Sequence, residues 1–391
     1  MPWSQTPPMH QRTLFISDHL RGTHSVVELC AEYGISRKTA YKWIDRYIRR
    51  GPAGLEDRSR RPRRAPNATA PGVVNALVEL RYRHPTWGAK KLLAFLARRH
   101  PDWNLPGRSV TCALLKRRGL VLRKTPRRAI GHPGKPSPLI LAPNHVWCAD
   151  FKGQFRMGNG RYCYPLTVTD GHSRFLLGCQ GLTSTAVRGA KPVFARLFHE
   201  HGLPQYIRTD NGVPFATNTL ARLSRLSAWW VRLGVLPQLI EPGKPQQNGR
   251  HERMHRTLKA ETTRPPAAAL RSQQIKFDRF RQEFNHERPH EALEQRTPAS
   301  TYQASPRPMP SKLPALEYPD RFEVRYVSAN GGIRWNNSWV NVSTTCIGEY
   351  VGLEEIDDGI WNVYFGALRL GRLLERKMKI EDAYGRLYRH R

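Results

Sequence analysis

Acidic residues are scarce in this 391-residue chain: 31 Asp and Glu stand against 64 Lys and Arg, a formal charge of +33. A field that positive calls for a polyanionic partner, nucleic acid first. The chain also lacks any 18-residue apolar run and any basic amphipathic anchor, which excludes a membrane as that partner. Its opening, MPWSQTPPMHQR, has no apolar stretch of the kind a secretory signal needs, so a cytoplasmic protein is expected. Cysteine is sparse and unpatterned. Cys30, Cys112, Cys148, Cys163, Cys179 and Cys346 show no C-x-x-C spacing and are expected as small buried hydrophobes in a reducing compartment. What is present, 39% hydrophobic residues over this length, suffices for two to four packed domains.

Proline, glycine and arginine punctuate the chain at 51–72, 123–138 and 305–314. The blocks between them are 10–50, 70–122, 144–304 and 315–391, with 123–143 a basic linker. In SVVELCAEYGISRKTAYKWIDRYIRR, Val26, Val27, Leu29 and Cys30 form a helical apolar face and Gly34 breaks it. Ser36 then caps a second helix with Ala40, Trp43, Ile44 and Tyr47 facing inward. This is a helix-turn-helix, with Arg37, Lys38, Thr39 and Lys42 on the outer face to meet phosphates or base edges. The next block gives two helices broken at His84-Pro85, then a short basic helix capped by Ser109 and ended by Gly119. A second, homeodomain-sized helix-turn-helix is expected there, with Arg108, Lys116 and Arg117 toward DNA. The linker arginines (Arg58, Arg60, Arg61, Arg63, Arg64) suit a minor groove, phosphate neutralisation or a solvated charge run alike.

The third block opens with strand-like runs, NHVWCADFKGQFRM, YCYPLTVTDGHSRFLLGCQGL and PQYIRTDNG, and continues with helical patterns. Strands followed by covering helices indicate an α/β or α+β domain. The fourth block alternates around turns at Asn330-Gly331-Gly332 and Asp358-Gly359, and its five or so short strands suggest a small all-β barrel with Trp335, Trp339 and Trp361 in the core.

Three carboxylates lie at ends of third-block elements: Asp150 in VWCADF, Asp210 in YIRTDNG and Glu252 after PQQNG. Such acids can converge on two divalent ions, since hard oxygens suit Mg²⁺, but a chain this long holds many acid triplets. The local sequences around them, W-C-A-D-F, R-T-D-N-G-V-P-F and P-Q-Q-N-G-R-H-E-R-M-H-R-T-L-K, followed by F-N-H-E-R-P-H-E-A-L, resemble insertion-sequence transposases with a retroviral-integrase-type core. The resemblance spans nearly the whole chain. It implies a ribonuclease-H-like fold with Asp150, Asp210 and Glu252 as Asp-Asp-Glu ligands of two Mg²⁺ ions, Mn²⁺ substituting. It implies cleavage at terminal inverted repeats, attack of a 3′-hydroxyl on target DNA, and a homodimer or larger assembly on double-stranded DNA at the bacterial nucleoid. Arg256 and Lys259 occupy the family's DNA-contacting places, and their i+4 and i+7 spacing from Glu252 independently puts all three on one helical face. Asn248 is the expected cap of that helix. The gap from Asp210 to Glu252 holds 41 residues, long for the family, with SRLSAWW taken as an insertion. The retroviral His/Cys zinc knot is missing. A DNA-binding regulator with an inactive core is the alternative, against which the three intact acids speak.

HERMH (251–255) matches the zinc-protease H-E-x-x-H. Arg250, Arg253, Arg256 and Lys259 crowd it and no third ligand follows downstream, so a chance match around the glutamate is expected. Asp170, the rival of Asp150, reads as a turn residue, while Asn285, Arg288 and His290 read as braces of the fold, Arg288 within reach of DNA, and Trp147 as a core anchor.

Overall fold

The computed structural model describes residues 8–58, 68–121, 140–241 and 245–382. Most of the 123–143 linker and Arg60, Arg61, Arg63 and Arg64 lie outside them. The chain divides into two compact units, 1–68 and 69–391.

The first unit holds α1 (Pro8–Arg21), α2 (Val26–Glu32) and α3 (Arg37–Arg50) around Phe15, Ile16, Leu29, Ala40, Trp43 and Ile44. Ser25 and Glu28 form a reciprocal capping box at α2, and Ser36 caps α3 by accepting from the Thr39 amide, as the sequence predicts. Gly34, at φ 60°, makes the turn between them. Val27 departs from expectation: it is exposed, and the α2 face is completed by Leu29 and Cys30. α1 supplies the third wall that a two-helix reading lacks.

The second unit begins with α4 (Pro71–Arg83), α5 (Ala89–Arg99) and α6 (Arg108–Arg117), packed through Leu77, Trp87, Leu92, Leu96 and Leu115. Ser109 does not cap α6. The cap position falls on Gly107, because the helix starts one residue before the serine. Polar contacts hold this three-helix module to the domain that follows: Arg83 to Glu287 at 3.3 Å, His84 to Glu283 at 2.9 Å, Thr86 to Glu261 at 2.6 Å, Lys90 to Glu291, and Arg98 to the Glu287 carbonyl at 2.9 Å.

That domain is a mixed sheet between two helical layers. Its strands are β1 (Val146–Phe151), β2 (Phe155–Arg156), β3 (Tyr162–Asp170), β4 (Leu176–Leu182), β5 (Tyr206–Thr209) and β6 (Leu236–Leu239). β4, β3 and β1 pair antiparallel, and β1, β5 and β6 pair parallel, with β2 also on β3. The period of two sorts side chains between the faces. Trp147, Ala149, Leu166 and Val168 face α7 (Val187–His201) and α8 (Arg225–Arg232). The opposite face lies under α9 (Gly249–Thr262) and α10 (Leu270–His286), where Met254, Leu258, Phe277, Phe280 and Phe284 pack. This is a ribonuclease-H-like core. SRLSAWW, taken as an insertion, is largely α8, the crossover helix that parallel β5–β6 pairing requires; it buries Leu226 and Trp230 completely.

The C-terminal strands are β7 (Glu323–Tyr326), β8 (Gly332–Trp335), β9 (Ser338–Asn341), β10 (Tyr350–Asp357), β11 (Ile360–Phe365), β12 (Leu368–Leu374) and β13 (Lys379–Glu381). The expected barrel does not close. Among the described residues β7-β10-β11-β12-β13 is an open antiparallel sheet, and β8-β9 is a separate hairpin. That hairpin adds Ile333, Trp335 and Val340 to the sheet's core, so apolar contact rather than strand pairing seals it. Its tight turn is Asn336-Asn337, both at positive φ, not Asn330-Gly331-Gly332. The Asp358-Gly359 turn stands between β10 and β11 as expected. Trp335 is buried and Trp361 half-buried, both donating to Glu375, whereas Trp339 is exposed. Cys112 is exposed as well, the one exception to the reading of the cysteines, and all six thiols are free.

Candidate active site

Asp150 lies near the C-terminal end of β1, on the α9 side of the sheet. The parallel ladder ends at Cys148–Arg208, two residues before both Asp150 and Asp210, and the charge of Asp210 acts on the Asp150 carboxyl. Asp210 follows the last residue of β5 and accepts from the Gly212 amide at 3.2 Å. Gly212 permits that turn: an added Cβ would stand 3.2 Å from the carboxylate. Glu252 is exposed in the first turn of α9, where the helix N-terminus favours negative charge. The acids feel one another. Burial first, then the charge of Asp210 and also that of Glu252, push the Asp150 carboxyl up to about 7. A cation among them would relieve that repulsion.

α9 carries three stripes. His251, Met254, His255 and Leu258 are buried against the sheet. Glu252, Arg256 and Lys259 form an exposed stripe at i, i+4 and i+7, and Arg250, Arg253 and Thr257 form another. Asn248 occupies the N-cap position, but among the described residues its side chain accepts no cap bond and its buried Oδ1 has no partner. The φ of −106° and ψ of 12° lie outside the extended geometry in which a capping oxygen reaches back.

Both histidines of HERMH join Asp150 to β3. Thr167, directly opposite Asp150, and Thr169 project to the same face. His251 contacts Thr167 Oγ1 through Nε2 at 2.7 Å and Thr169 Oγ1 through Nδ1 at 2.9 Å. His255 Nε2 reaches Thr167 Oγ1 at 2.6 Å, and its Nδ1 faces Asp150 Oδ2 at 3.6 Å. Burial pushes His251 down to about 3, and burial with His251 beside it holds His255 far below the usual imidazole range. Both rings are therefore neutral. Ligand atoms of Asp150, His251 and His255 lie within 4.8 Å of one another, so a third group for a zinc reading exists upstream, where a downstream search does not find it. The donor set fits poorly, because both His251 nitrogens are engaged by threonine hydroxyls. The histidines are nonetheless parts of the site, which the reading of HERMH as chance misses. The signal was present in the alternation of LTVTD.

The rival acid Asp170 is fully buried and accepts from the Asn144 amide and from both N–H and O–H of Ser173, a structural turn. Trp147 is a core anchor, and Asn285 braces β4 through both its amide atoms on Leu176. Arg288 is buried and paired with Glu261. Of the residues expected to touch DNA, Arg37, Lys38, Lys42, Arg108, Lys116, Arg117, Arg256 and Lys259 are exposed. Thr39 is half-buried, its amide held by Ser36. Lys42 lies over the Trp43 ring at 4.5 Å.

Comparison with known proteins adds the following. Models described as integrase core domain match residues 141–245 and 233–298, a helix-turn-helix domain matches 11–63, and a homeodomain-like domain matches 39–110. The uncharacterized 31.7 kDa protein of insertion element IS407 from Burkholderia multivorans is 29% identical over 234 residues, 57% of this chain and 78% of that protein. The uncharacterized 39.2 kDa protein of insertion element IS476 from Xanthomonas euvesicatoria is 27% identical over 255 residues, 63% of this chain and 69% of that protein. Among solved structures, the HTLV-2 integrase catalytic core in complex with magnesium aligns at 15% identity and a TM-score of 0.34, covering 42% of this chain and 99% of that one.

Proposed function

We propose that this chain, which carries helix-turn-helix and integrase core domains and has insertion-element homologues, is a DNA transposase. It binds the terminal inverted repeats of its element, cleaves at the 3′ ends and joins them to target DNA. The observation that supports this reading is the parallel pairing of β1 and β5, whose last pair, Cys148–Arg208, stands two residues before Asp150 and Asp210, with the charges of Asp210 and Glu252 both acting on Asp150. Two divalent ions, Mg²⁺ with Mn²⁺ as substitute, would be held by these oxygens and would polarise the scissile phosphate. The chain's own part is positional. β1 carries Asp150 and the turn after β5 carries Asp210, and α9 would bring the third carboxylate with Arg256 and Lys259 on the same exposed stripe to hold the DNA strand. The outer face of α3 and the exposed base of α6 supply duplex contacts, and joining two ends at once requires at least a dimer.

The test is metal-dependent strand transfer on labelled DNA from the element's own ends. Glu252→Gln and Asp150→Asn should each abolish both cleavage and joining while leaving end binding intact. Tight end binding with no cleavage by wild type, with Mg²⁺ or Mn²⁺, would overturn the proposal in favour of a DNA-binding regulator.

A further inference from the structure

Beside the carboxylates, on the other side of the buried stripe of α9, lies a cavity of about 120 Å³. Its walls include Lys91, Arg174, Arg250, Arg253, Arg288 and His290, and no Asp or Glu. That volume is the share of about four waters. Of the five cations only Arg288 has a carboxylate at ion-pair distance among the described residues, namely Glu261 at 3.0 Å. Arg174 and Arg250 instead both donate to one carbonyl, that of Gly171, at 3.2 and 3.4 Å. Two guanidiniums on one weak acceptor leave most of their N–H groups unused.

Two further observations accompany this crowding of cations. Arg174 holds a φ of 65°, a conformation costly for a long side chain and retained where the surroundings impose it. Burial, then the charge of Arg288, pushes the Lys91 ammonium down to about 8, and burial with Arg250 pushes Arg174 down to about 10. Several like charges in a half-enclosed cavity, offset only in part by Glu261, Glu291 and Asp170, are unfavourable until a further counter-charge enters.

We propose that this cavity is a phosphate site, in which the guanidiniums of Arg174 and Arg250 and the ammonium of Lys91 hold the oxygens of one phosphoryl group. Guanidinium forks match phosphate geometry, and the ammonium adds a point charge. Cys148 on the cavity wall and Asp150 project to the same face of β1, two residues or about 7 Å apart. One bound strand can therefore reach both. The phosphate comes either from the DNA backbone, which rests on the transposase reading, or from a free inorganic phosphate or polyphosphate, which does not.

The experiment uses the full chain without divalent metal. Thermal unfolding is titrated with inorganic pyrophosphate against potassium chloride at matched ionic strength, for wild type, Arg174→Asn and Lys91→Gln. Asparagine tolerates the positive φ of position 174, and Arg250→Gln at an exposed side chain serves if the other two fail to fold. Wild type should show a saturable rise in melting temperature, and each variant should weaken pyrophosphate by at least about tenfold. In parallel, affinity for a duplex from the element's ends is followed against salt. A backbone phosphate as occupant lowers the salt slope by about one in each variant. An unchanged slope with saturable pyrophosphate binding assigns the site to a free anion. No saturable rise together with unchanged slopes overturns the proposal. Absence of strand transfer would sink the transposase reading and leave the pyrophosphate result standing.

Discussion

At the scale of single residues, Asp150 concentrates the chemistry and its cost. Its carboxyl, ordinarily near 3.8, stands at about 7 in the fold. The folded state therefore keeps a proton that the unfolded chain has already lost. Stability from this group falls as pH rises from about 4 and is fully lost above about 7. Asp150→Asn should melt higher than wild type at pH 8 without divalent ions, with the advantage vanishing near pH 4; thermal scans across that range check it. Mg²⁺ should raise the wild-type melting temperature more at pH 8 than at pH 6 and leave Asp150→Asn unmoved. Asn285 is a purely structural counterpart. Its amide donates to and accepts from the Leu176 backbone inside the core, so Asn285→Ala leaves two buried backbone groups without partners. A loss of about 2–5 kcal/mol in denaturant unfolding is expected, at unchanged salt slope for DNA.

At the scale of elements, α9 shows what a sequence discloses and what it withholds. The i, i+4, i+7 relation of Glu252, Arg256 and Lys259 needs only the helical period, and all three are exposed together. Replacing both Arg256 and Lys259 with alanine should weaken binding to end DNA and reduce the salt slope by about two, with melting temperature unchanged. The helix-turn-helix of α2 and α3 was equally legible, because capping serines and a glycine turn are local signals. Asp150, Asp210 and Glu252 were legible as local sequences, whereas the group that the fold brings within 4.8 Å among the described residues, Asp150 with His251 and His255, was not. What stayed hidden was non-local. The partners of His251 and His255 are threonines more than 80 residues away, and no spacing rule links them. The same holds for Lys91 and Arg174, whose neighbours come from different elements. Barrel closure failed for a related reason: strand count was readable, but whether β7 and β13 meet depends on where the β8–β9 hairpin packs. The caps assigned to Ser109 and Asn248 failed through a two-residue shift and an unsuited backbone angle.

At the scale of the whole molecule, the second helical module is fastened to the core mainly by charges on α10 and just after it. Arg83 and His84 meet Glu287 and Glu283, Lys90 meets Glu291, and Arg98 donates to the Glu287 carbonyl. The exposed pairs among these, Arg83–Glu287 and Lys90–Glu291, contribute little singly and weaken with salt. Glu283→Ala combined with Glu287→Ala should speed hydrogen exchange in α4 and α5 without altering β1 or β3, measured on the full chain. Equal protection in the variant would assign the docking to apolar contacts instead. Lys91 reaches the phosphate cavity from α5, so loosening the module should also weaken pyrophosphate binding.

The threonine–histidine array has a direction. Thr167 has a single hydroxyl hydrogen and three acceptors as neighbours, two imidazole nitrogens and the Asp150 carbonyl at 3.1 Å, so only one of them can receive it. With Asp150 ionised, all hydrogens can point toward it: Thr169 to His251 Nδ1, His251 Nε2 to Thr167, Thr167 to His255 Nε2, and His255 Nδ1 facing the carboxylate. With Asp150 protonated, the whole file can reverse, and each ring then carries its hydrogen on the other nitrogen. When the Thr167 hydrogen turns from the Asp150 carbonyl to the rings, one oxygen of Asp150 is coupled to the tautomer of a ring two hydrogen bonds beyond His255, and nitrogen chemical shifts of His251 should then register what binds at Asp150 without the ligand ever touching it.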